Sequence, residues 1–426
     1  MDDKKIEIIK REKEDYIDLS RSEAENHYKA EASKEVIKTE RPKNVAINKV
    51  TDFFESKFFS WIFHYIKSRF GLRHKFQSYE LESDKGIYKM EKSNNDGKDE
   101  ITIALAADWA TDTAESDIIG DLIEDKDPDY TIHLGDTYFV GMKEEMKINF
   151  LDDNCSWHRG ASGSFAMLGN HEMYSRGISY FRDLLPTMGI FDKSINKYAG
   201  QKASYFCIEN EHWRVICLDT GYNSVGIPLL EYIFKPKSEF RKEILKWLKD
   251  EVKIGEDKRG LIFMTHHQYC TAFEKEDEYV KPAEQLAELI GKDRPVIWIW
   301  GHEHRLTMFG KYSSENGIAA YGRCIGNGGM PIEFKNKILP DMDKKRNLIL
   351  YDERVYTKIK GFDIGYNGFT IMSIKDKELT LEYFDIKDEK LITEKWTADN
   401  QTGEIDNMEF TVHSKDDGII QLGIKN

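Results

Sequence analysis

Residues that commonly bind metal ions follow five short apolar runs of this chain, in the segments ALAADWA, HLGDTYF, LGNHEMY, FMTHHQY and WGHEHRL. The residues concerned are Asp108, Asp136, Asn170, His171, Glu172, His266, His302 and His304. Carboxylate and amide oxygens together with imidazole nitrogens suit divalent ions such as Zn²⁺ and Mn²⁺. A carboxylate can bridge two cations about 3.5–4 Å apart, an arrangement that supports in-line displacement at phosphorus. The ordered set therefore predicts a two-metal site that hydrolyses a phosphate ester.

The apolar runs that precede these residues are predicted to be buried strands. They cover 101–107, 130–134, 164–168, 213–218, 261–264 and 296–300. Candidate helices are 113–125, 178–186, 238–253 and 282–291. Strands that alternate with helices predict sheets covered by helices, and in such folds ligands bind beyond the carboxyl ends of the strands. Towards the C-terminus, the alternating pattern predicts a β-hairpin of two strands, at 369–374 and 379–384, and a strand at 390–397 can extend it.

The overall composition limits the classes of partner. The net charge is −14, with 62 Lys and Arg against 76 Asp and Glu, which argues against a protein that coats nucleic acid. A small phosphorylated substrate remains compatible, because bound cations invert the local field. Five cysteines without a CxxC pair favour reduced thiols and a cytoplasmic protein. The charged N-terminus has no apolar signal core, and no run approaches the roughly 20 apolar residues that span a bilayer.

Composition also divides the chain into predicted segments. These are a charged helical or disordered tail (1–45), an amphipathic helix (46–75), a linker or strand (76–100), the main domain (101–398) and a C-terminal extension (399–426). Within the second segment, apolar residues recur at helical spacing over 47–70, but charged residues interrupt them. Docking on the main domain or self-association is therefore favoured over peripheral binding at a membrane interface.

Taken in order, the five motifs resemble the calcineurin-like metallophosphoesterase superfamily, whose pattern is D-x-H, G-D, G-N-H-[DE], a lone His after a strand, and G-H-x-H. The resemblance covers roughly 101–390. The residues of the segments ADW, GDTY and WGHEHR are most similar to those of purple-acid-phosphatase-like bacterial members. The resemblance implies an α/β (α+β) fold, a four-layer αββα sandwich, here with an N-terminal helical extension. It also implies two divalent or trivalent ions, with Mn, Zn and Fe as the candidates.

The same resemblance implies a role for each site residue. Asp136 would bridge the two metals, and Asp108 and His304 would hold one of them. The other metal would be held by Asn170, His266 and His302. His171 would not be a ligand; it would contact the phosphate and protonate the leaving oxygen. The implied reaction is attack of a metal-bound hydroxide on the phosphorus of a mono- or diester.

Two positions depart from the family pattern. The histidine of D-x-H is Ala110 here. Purple acid phosphatases also lack that histidine but carry a tyrosine three residues after the bridging aspartate, where this chain has Phe139; its tyrosine is Tyr138. Strand alternation would turn Tyr138 away from the ligands, which leaves the first metal with three protein ligands. Asp112 is either a substitute ligand or, as favoured, the cap of helix 113–125.

These departures motivate an alternative function, a degenerate fold that acts as a binding or regulatory module. The intact ligand set and His171 argue against it, because a scaffold needs no general acid.

The sequence also predicts the positions of several further residues. His267, Asn327 and Tyr138 are candidates for the substrate cleft. Mid-strand His133 is predicted to be a hydrogen-bonded core residue, and Glu172 to orient its own loop. The substrate is expected to be a small phosphorylated molecule, selected by the loops 150–163, 222–238 and 333–360.

Overall fold

The computed structural model describes residues 72–92, 99–152, 155–225, 238–273, 278–332, 340, 346–359 and 362–422. The predicted tail 1–45 lies outside these residues, as does the amphipathic helix 46–75 except for its last four positions. The N-terminal helical extension therefore stays a prediction. No helix in the described ranges is long and apolar enough to cross a membrane.

Two large mixed sheets form the framework. The first contains β2 (Ile101–Ala106), β3 (Tyr130–His133), β4 (Gly163–Ala166), β5 (Gly189–Asp192), β6 (Lys197–Tyr198), β16 (Gly368–Lys375), β17 (Glu378–Asp385), β18 (Lys390–Ala398) and β19 (Ile405–Val412). The second contains β1 (Ile87–Lys89), β7 (Phe206–Glu209), β8 (Trp213–Cys217), β9 (Gly260–Thr265), β10 (Val296–Trp300), β11 (Leu306–Tyr312), β12 (Ala320–Ile325), β13 (Leu348–Asp352) and β20 (Ile419–Gln421). A separate hairpin pairs β14 (Val355–Ile359) with β15 (Phe362–Gly365).

Strand order explains how the site motifs come together. The first sheet runs β19-β18-β17-β16-β2-β3-β4-β5-β6 and the second β1-β7-β8-β9-β10-β12-β11-β13-β20. Strands β2, β3 and β4 are parallel neighbours, and so are β8, β9 and β10. Parallel neighbours end at the same edge of a sheet. The residues that follow these strands are therefore brought to one edge of each sheet.

Helices cover the outer faces of the two sheets. Five α-helical segments are described: α1 (Ala114–Asp125), α2 (Lys143–Met146), α3 (Asn170–Tyr174), α4 (Lys242–Asp250) and α5 (Val280–Ile290). The helix predicted at 178–186 is a π-helical turn (Tyr180–Leu184) followed by a 3-10 turn (Leu185–Thr187).

Three apolar clusters separate the four layers. Ile103 and Leu105 point between the sheets, whereas the alternate residues Ala104 and Ala106 face the cluster under α1. A third cluster packs α4 and α5 on the outer face of the second sheet, for example through Trp247. The αββα sandwich is therefore confirmed.

The cap of helix α1 differs from the prediction. Thr113, not Asp112, is the N-cap: its hydroxyl accepts from the Ser116 N–H (3.2 Å), and the Ser116 hydroxyl accepts from the Thr113 N–H (3.0 Å). Asp112 instead has a left-handed backbone (φ 52°), and its N–H donates to Asn149 Oδ1. The prediction of Asp112 as the cap is wrong, because the reciprocal threonine–serine pair satisfies the free N–H groups one residue later.

A buried ion pair joins the two sheets through the core. Arg323 on β12 donates from Nε and an Nη to the two oxygens of Glu394 on β18, at 2.7 and 2.6 Å. The hydroxyl of Tyr383 and the indole N–H of Trp396 also donate to Glu394. Both charged side chains are almost fully buried, so each depends on the other for compensation of its charge.

We expect Glu394→Gln to lower the free energy of unfolding by about 3–5 kcal/mol, because it leaves the Arg323 cation buried without its carboxylate. Urea unfolding followed by tryptophan fluorescence measures this loss. Lys395→Ala, which removes an exposed ion pair with Glu409 from the same strand, is the matched control and should leave the midpoint unchanged. A loss below about 1 kcal/mol in Glu394→Gln would show that the pair is dispensable.

Candidate metal centre

The predicted ligands lie just beyond the ends of parallel strands in both sheets. Asp108 follows β2, Asp136 follows β3, and Asn170 follows β4 as the first residue of α3. In the second sheet, His266 follows β9 directly and His302 follows β10. The last paired residues are at matching levels, with Ala106 opposite His133 and Thr265 opposite Trp300.

Three of these predicted ligands have an unusual backbone. Asp108, Asp136 and His302 have φ values of 55°, 69° and 67°, in the left-handed region that non-glycine residues rarely adopt. Such conformations cluster at functional sites, where the surrounding structure holds them in place. Here the ligand motifs hold each other: the His302 N–H donates to Asp108 Oδ2 (2.8 Å), and the His171 N–H donates to Asp136 Oδ1 (2.9 Å).

One half of the site surrounds Asp108. His304 Nε2 lies 3.6 Å from Asp108 Oδ1, and the Tyr138 hydroxyl lies 2.9 Å from the same oxygen. That hydroxyl is also 2.7 Å from His304 Nε2 and 3.4 Å from Asp136 Oδ2. Two carboxylates, an imidazole and a phenol therefore converge on a single space.

The other half of the site is built around His266. Its Nε2 lies 3.2 Å from Asp136 Oδ2 and 3.1 Å from Asn170 Oδ1. Its Nδ1 lies 3.1 Å from the Leu134 carbonyl oxygen, which can only accept, so one proton belongs on Nδ1 and Nε2 is the nitrogen that faces the site. The ring of His302 is 5.2 Å from that of His266.

His267 adds a third imidazole to this half. Its ring lies 4.6 Å from the ring of His302, and Thr220 Oγ1 is 3.0 Å from its Nδ1. The predicted cleft residue is therefore inside the cluster, among the ligand candidates.

Electrostatics favours a cation in this site. Burial raises the pKa of Asp108 and Asp136, but the neighbouring histidines lower it more, so both carboxyls are ionised. Burial lowers the pKa of His266, whereas the Asp136 carboxylate raises it further, to about 9. His266 thus holds a proton that a cation can replace. Burial also holds the pKa of His302 down, to about 3, which keeps that imidazole neutral and able to bind a metal.

The donor set fits metal binding. Within the described part of the chain, two groups bring their potential ligand atoms within 4.8 Å of one another: Asp108, Asp136 and His266, and His266, His267 and His302. The division of individual ligands between two ions stays a prediction.

Tyr138 departs from the geometry expected of a strand. Its hydroxyl reaches Asp108 and His304, so the prediction that alternation turns it away is wrong. The reason is local: β3 ends at His133, and Thr137 makes only an isolated bridge to Ala110 before the chain turns. The strand period of two does not apply to residues in a turn.

The two ring nitrogens of His171 face different partners. Its Nδ1 lies 2.6 Å from the Phe139 carbonyl oxygen, and its Nε2 lies 3.7 Å from Asp136 Oδ2. Burial lowers the pKa of His171, although Asp136 opposes that change, so the imidazole without substrate is neutral.

Glu172 orients its loop, as predicted. One of its carboxylate oxygens accepts from the N–H groups of Asp136 (3.3 Å) and Gly169 (2.9 Å), and the other accepts from the Thr137 hydroxyl (2.9 Å). The residue therefore ties the G-D motif to the G-N-H-E motif.

The remaining predicted residues fall into different places. Asn327 follows Gly326, where an added Cβ would lie 3.1 Å from Asp108 Oδ2. His133 is a core residue packed against Trp109, Phe150 and Trp157. Within the described residues, however, neither of its ring nitrogens has a hydrogen-bond partner, so the prediction of a hydrogen-bonded histidine is not met. Loops 222–238 and 333–360 are only partly described.

Comparison with known proteins identifies the family. Residues 101–306 match the family model for the calcineurin-like phosphoesterases. This part of the chain belongs to that family, whose members use divalent metals, and the recognition made from the motifs is confirmed at this level. No curated protein matches the chain in sequence.

Solved structures give a weaker likeness. GAP50, described as the anchor in the inner membrane complex of Plasmodium, has a TM-score of 0.46 and 14% identity, over 71% of this chain and 90% of that chain. PhoD has a TM-score of 0.45 and 11% identity, over 76% of this chain and 73% of that chain. Vacuolar protein sorting 29 from Cryptosporidium parvum has a TM-score of 0.27 and 10% identity, over 75% of this chain and 100% of that chain. Since these TM-scores are below 0.5, no property of these proteins is assigned to this chain.

The close packing at Gly169 generates a prediction. A Cβ there would lie 2.0 Å from Asp136 Oδ1, so Gly169→Ala must displace the carboxylate between the two halves of the site. We expect bound Mn²⁺ or Zn²⁺ per chain to fall, as measured by elemental analysis after dialysis. Gly310→Ala, whose Cβ would have the Asn347 side chain and the Ile349 methyl as its nearest neighbours, is the control. Full metal content in Gly169→Ala would contradict the central place of Asp136.

Proposed function

We propose that this protein hydrolyses a small phosphate mono- or diester at the cluster centred on Asp136. The observation that supports this most directly is the burial of two ionised carboxylates, Asp108 and Asp136, in one space with several imidazoles. Such a concentration of buried charge and neutral donors is costly unless cations occupy it. Membership in a phosphoesterase family agrees with this chemistry.

In this proposal Asp136 would contribute to the binding of both ions. Asp108, His304 and Tyr138 would hold one ion, and Asn170, His266 and His302 would hold the other. Mn, Zn and Fe are the candidate metals, and His267 and Asn327 border the substrate. Bound cations would polarise the phosphoryl oxygens, neutralise their charge and lower the pKa of coordinated water.

His171 acts as the general acid in this proposal. The Phe139 carbonyl fixes the proton on Nδ1, so Nε2 is the nitrogen that faces the reacting group. Because burial lowers the pKa of the free imidazole, the acid form has to arise with substrate bound. An anionic phosphate beside Nε2 raises that pKa and supplies the protonated form where the leaving oxygen needs it.

The alternative is a catalytically degenerate module, motivated by Ala110 and Phe139. Tyr138 weakens this alternative, because its hydroxyl lies beside Asp108 and His304 despite the missing histidine.

A cytoplasmic location stays a prediction. All five cysteines are free thiols.

An activity screen separates the two functions. Purified full-length chain is supplied in turn with Mn²⁺, Zn²⁺ and iron, then assayed on nitrophenyl phosphate and bis(nitrophenyl) phosphate. Metal-dependent turnover of either ester, abolished in Asp136→Asn, supports the phosphoesterase. Metal binding without turnover of any ester would support the module.

The general-acid assignment predicts the behaviour of His171→Ala. It should fold and retain metal, yet lose about 10²–10⁴-fold in kcat on an alkyl phosphate, with a much smaller loss on a nitrophenyl phosphate. The reason is that a good leaving group needs no proton. His413→Ala, which alters a histidine whose ring is hydrogen-bonded to Thr393 in the first sheet, serves as the control. Equal losses on both substrates would contradict the role.

The assignment of Tyr138 predicts a change in metal affinity. Tyr138→Phe should release one of two ions at a lower chelator concentration than the wild-type chain does, because it removes one donor from the Asp108 half. Metal content measured against chelator concentration tests this. Tyr198→Phe, whose hydroxyl donates to the Gly160 carbonyl, is the control. Identical release curves for Tyr138→Phe and the wild type would exclude the phenol as a ligand.

A further inference from the structure

A short backbone segment, residues 139–142, separates His171 from a carboxylate that the proposed reaction does not use. That carboxylate belongs to Glu145, in α2. Its Oε1 accepts from the Phe139 N–H (2.6 Å), and its Oε2 accepts from the N–H groups of Met142 (2.8 Å) and Val140 (3.2 Å). A single side chain thus binds three donors of the segment.

The carbonyl side of the same segment is bound by the motif that carries His171. The Phe139 carbonyl faces His171 Nδ1 (2.6 Å). The Val140 carbonyl accepts from the Ser175 N–H (3.1 Å), and the Gly141 carbonyl accepts from the Ser175 hydroxyl (2.9 Å). The segment is therefore held by Glu145 through its N–H groups and by residues 171–175 through its carbonyls.

A purely structural explanation covers only part of these contacts. Glu145 is the third residue of α2, and in a capping box such a glutamate accepts from the N-cap N–H, here that of Met142. Capping does not require the bonds to Phe139 and Val140, which lie before the helix. The shortest of the three bonds goes to Phe139, whose carbonyl orients His171.

We propose that Glu145 is a positioning residue for His171: by binding the N–H groups of residues 139–142, it fixes the Phe139 carbonyl that sets the tautomer and orientation of the imidazole. This inference rests on the proposed function for its kinetic consequence but not for its geometry. Hydrogen-bond partners of this kind often change activity by about 10–100-fold when they are removed.

The test uses the full-length chain with Glu145→Gln. Glutamine keeps the size of the side chain but turns one acceptor oxygen into an amide that donates toward backbone N–H groups. Glu145→Asp, which keeps the charge but shortens the reach, is the second variant in case glutamine prevents folding. Ser175→Ala is the matched control, because it removes a contact to the same segment without touching Phe139.

The first readout does not depend on activity. The full-length chain is labelled with ¹⁵N-histidine, and its proton NMR spectrum is recorded. The Nδ1–H of His171 should give a downfield proton resonance, which is assigned by its absence in His171→Ala. We expect Glu145→Gln or Glu145→Asp to shift or broaden it, and Ser175→Ala to leave it in place. An unchanged resonance in both Glu145 variants would overturn the proposal, whatever reaction the protein catalyses.

The second readout is a double-mutant cycle on an alkyl phosphate. Glu145→Gln should lower kcat about 10–100-fold with KM and metal content unchanged, and should cause no further loss in a His171→Ala background. A loss of equal size in both backgrounds would show that Glu145 acts through something other than His171, and would also overturn the proposal. If the wild-type chain hydrolyses no ester, the proposed function fails and the resonance alone decides the role of Glu145.

Discussion

The burial of two ionised carboxylates side by side is the constraint on which the site depends. Asp108 and Asp136 are fully enclosed and repel each other, so each requires donors and positive charge close by. The backbone N–H groups of His302 and His171 supply part of this, and His266 and His304 supply more. Each motif is thereby a structural support for another, which explains why the left-handed backbone of Asp108, Asp136 and His302 is maintained.

The sandwich provides the rigid frame that this arrangement needs. The predicted ligands from the first sheet and from the second can meet only if the two sheets keep their relative position. The apolar cluster between the sheets supplies most of the attraction, and the Arg323–Glu394 pair adds a directional bond across it. An apolar interface alone permits small sliding movements, whereas a bidentate ion pair specifies one register.

The sequence allowed the strands and the polar residues gathered at their ends to be predicted because both follow from local patterns. Apolar runs that end in Asp, Asn or His indicate both the strand and its functional end, and the meeting of Asp108 with His304 follows from sheet topology. The failures have a different origin. The reach of Tyr138 depends on a turn after β3, and the Thr113 cap depends on which of two adjacent polar residues finds a partner. The contacts of Glu145 with Phe139 and Val140 have no sequence signal of their own, since they depend on the turn that the segment makes between Glu145 and His171.

The proposed function requires two cations, one on each side of Asp136. Crystals of the full-length chain grown with saturating Mn²⁺ and measured for anomalous scattering test it most directly. Two anomalous peaks should be found about 3.5–4 Å apart with the Asp136 carboxylate between them, one beside Asp108 and His304 and the other beside Asn170 and His266. A single peak, or peaks that do not contact Asp136, would contradict the account.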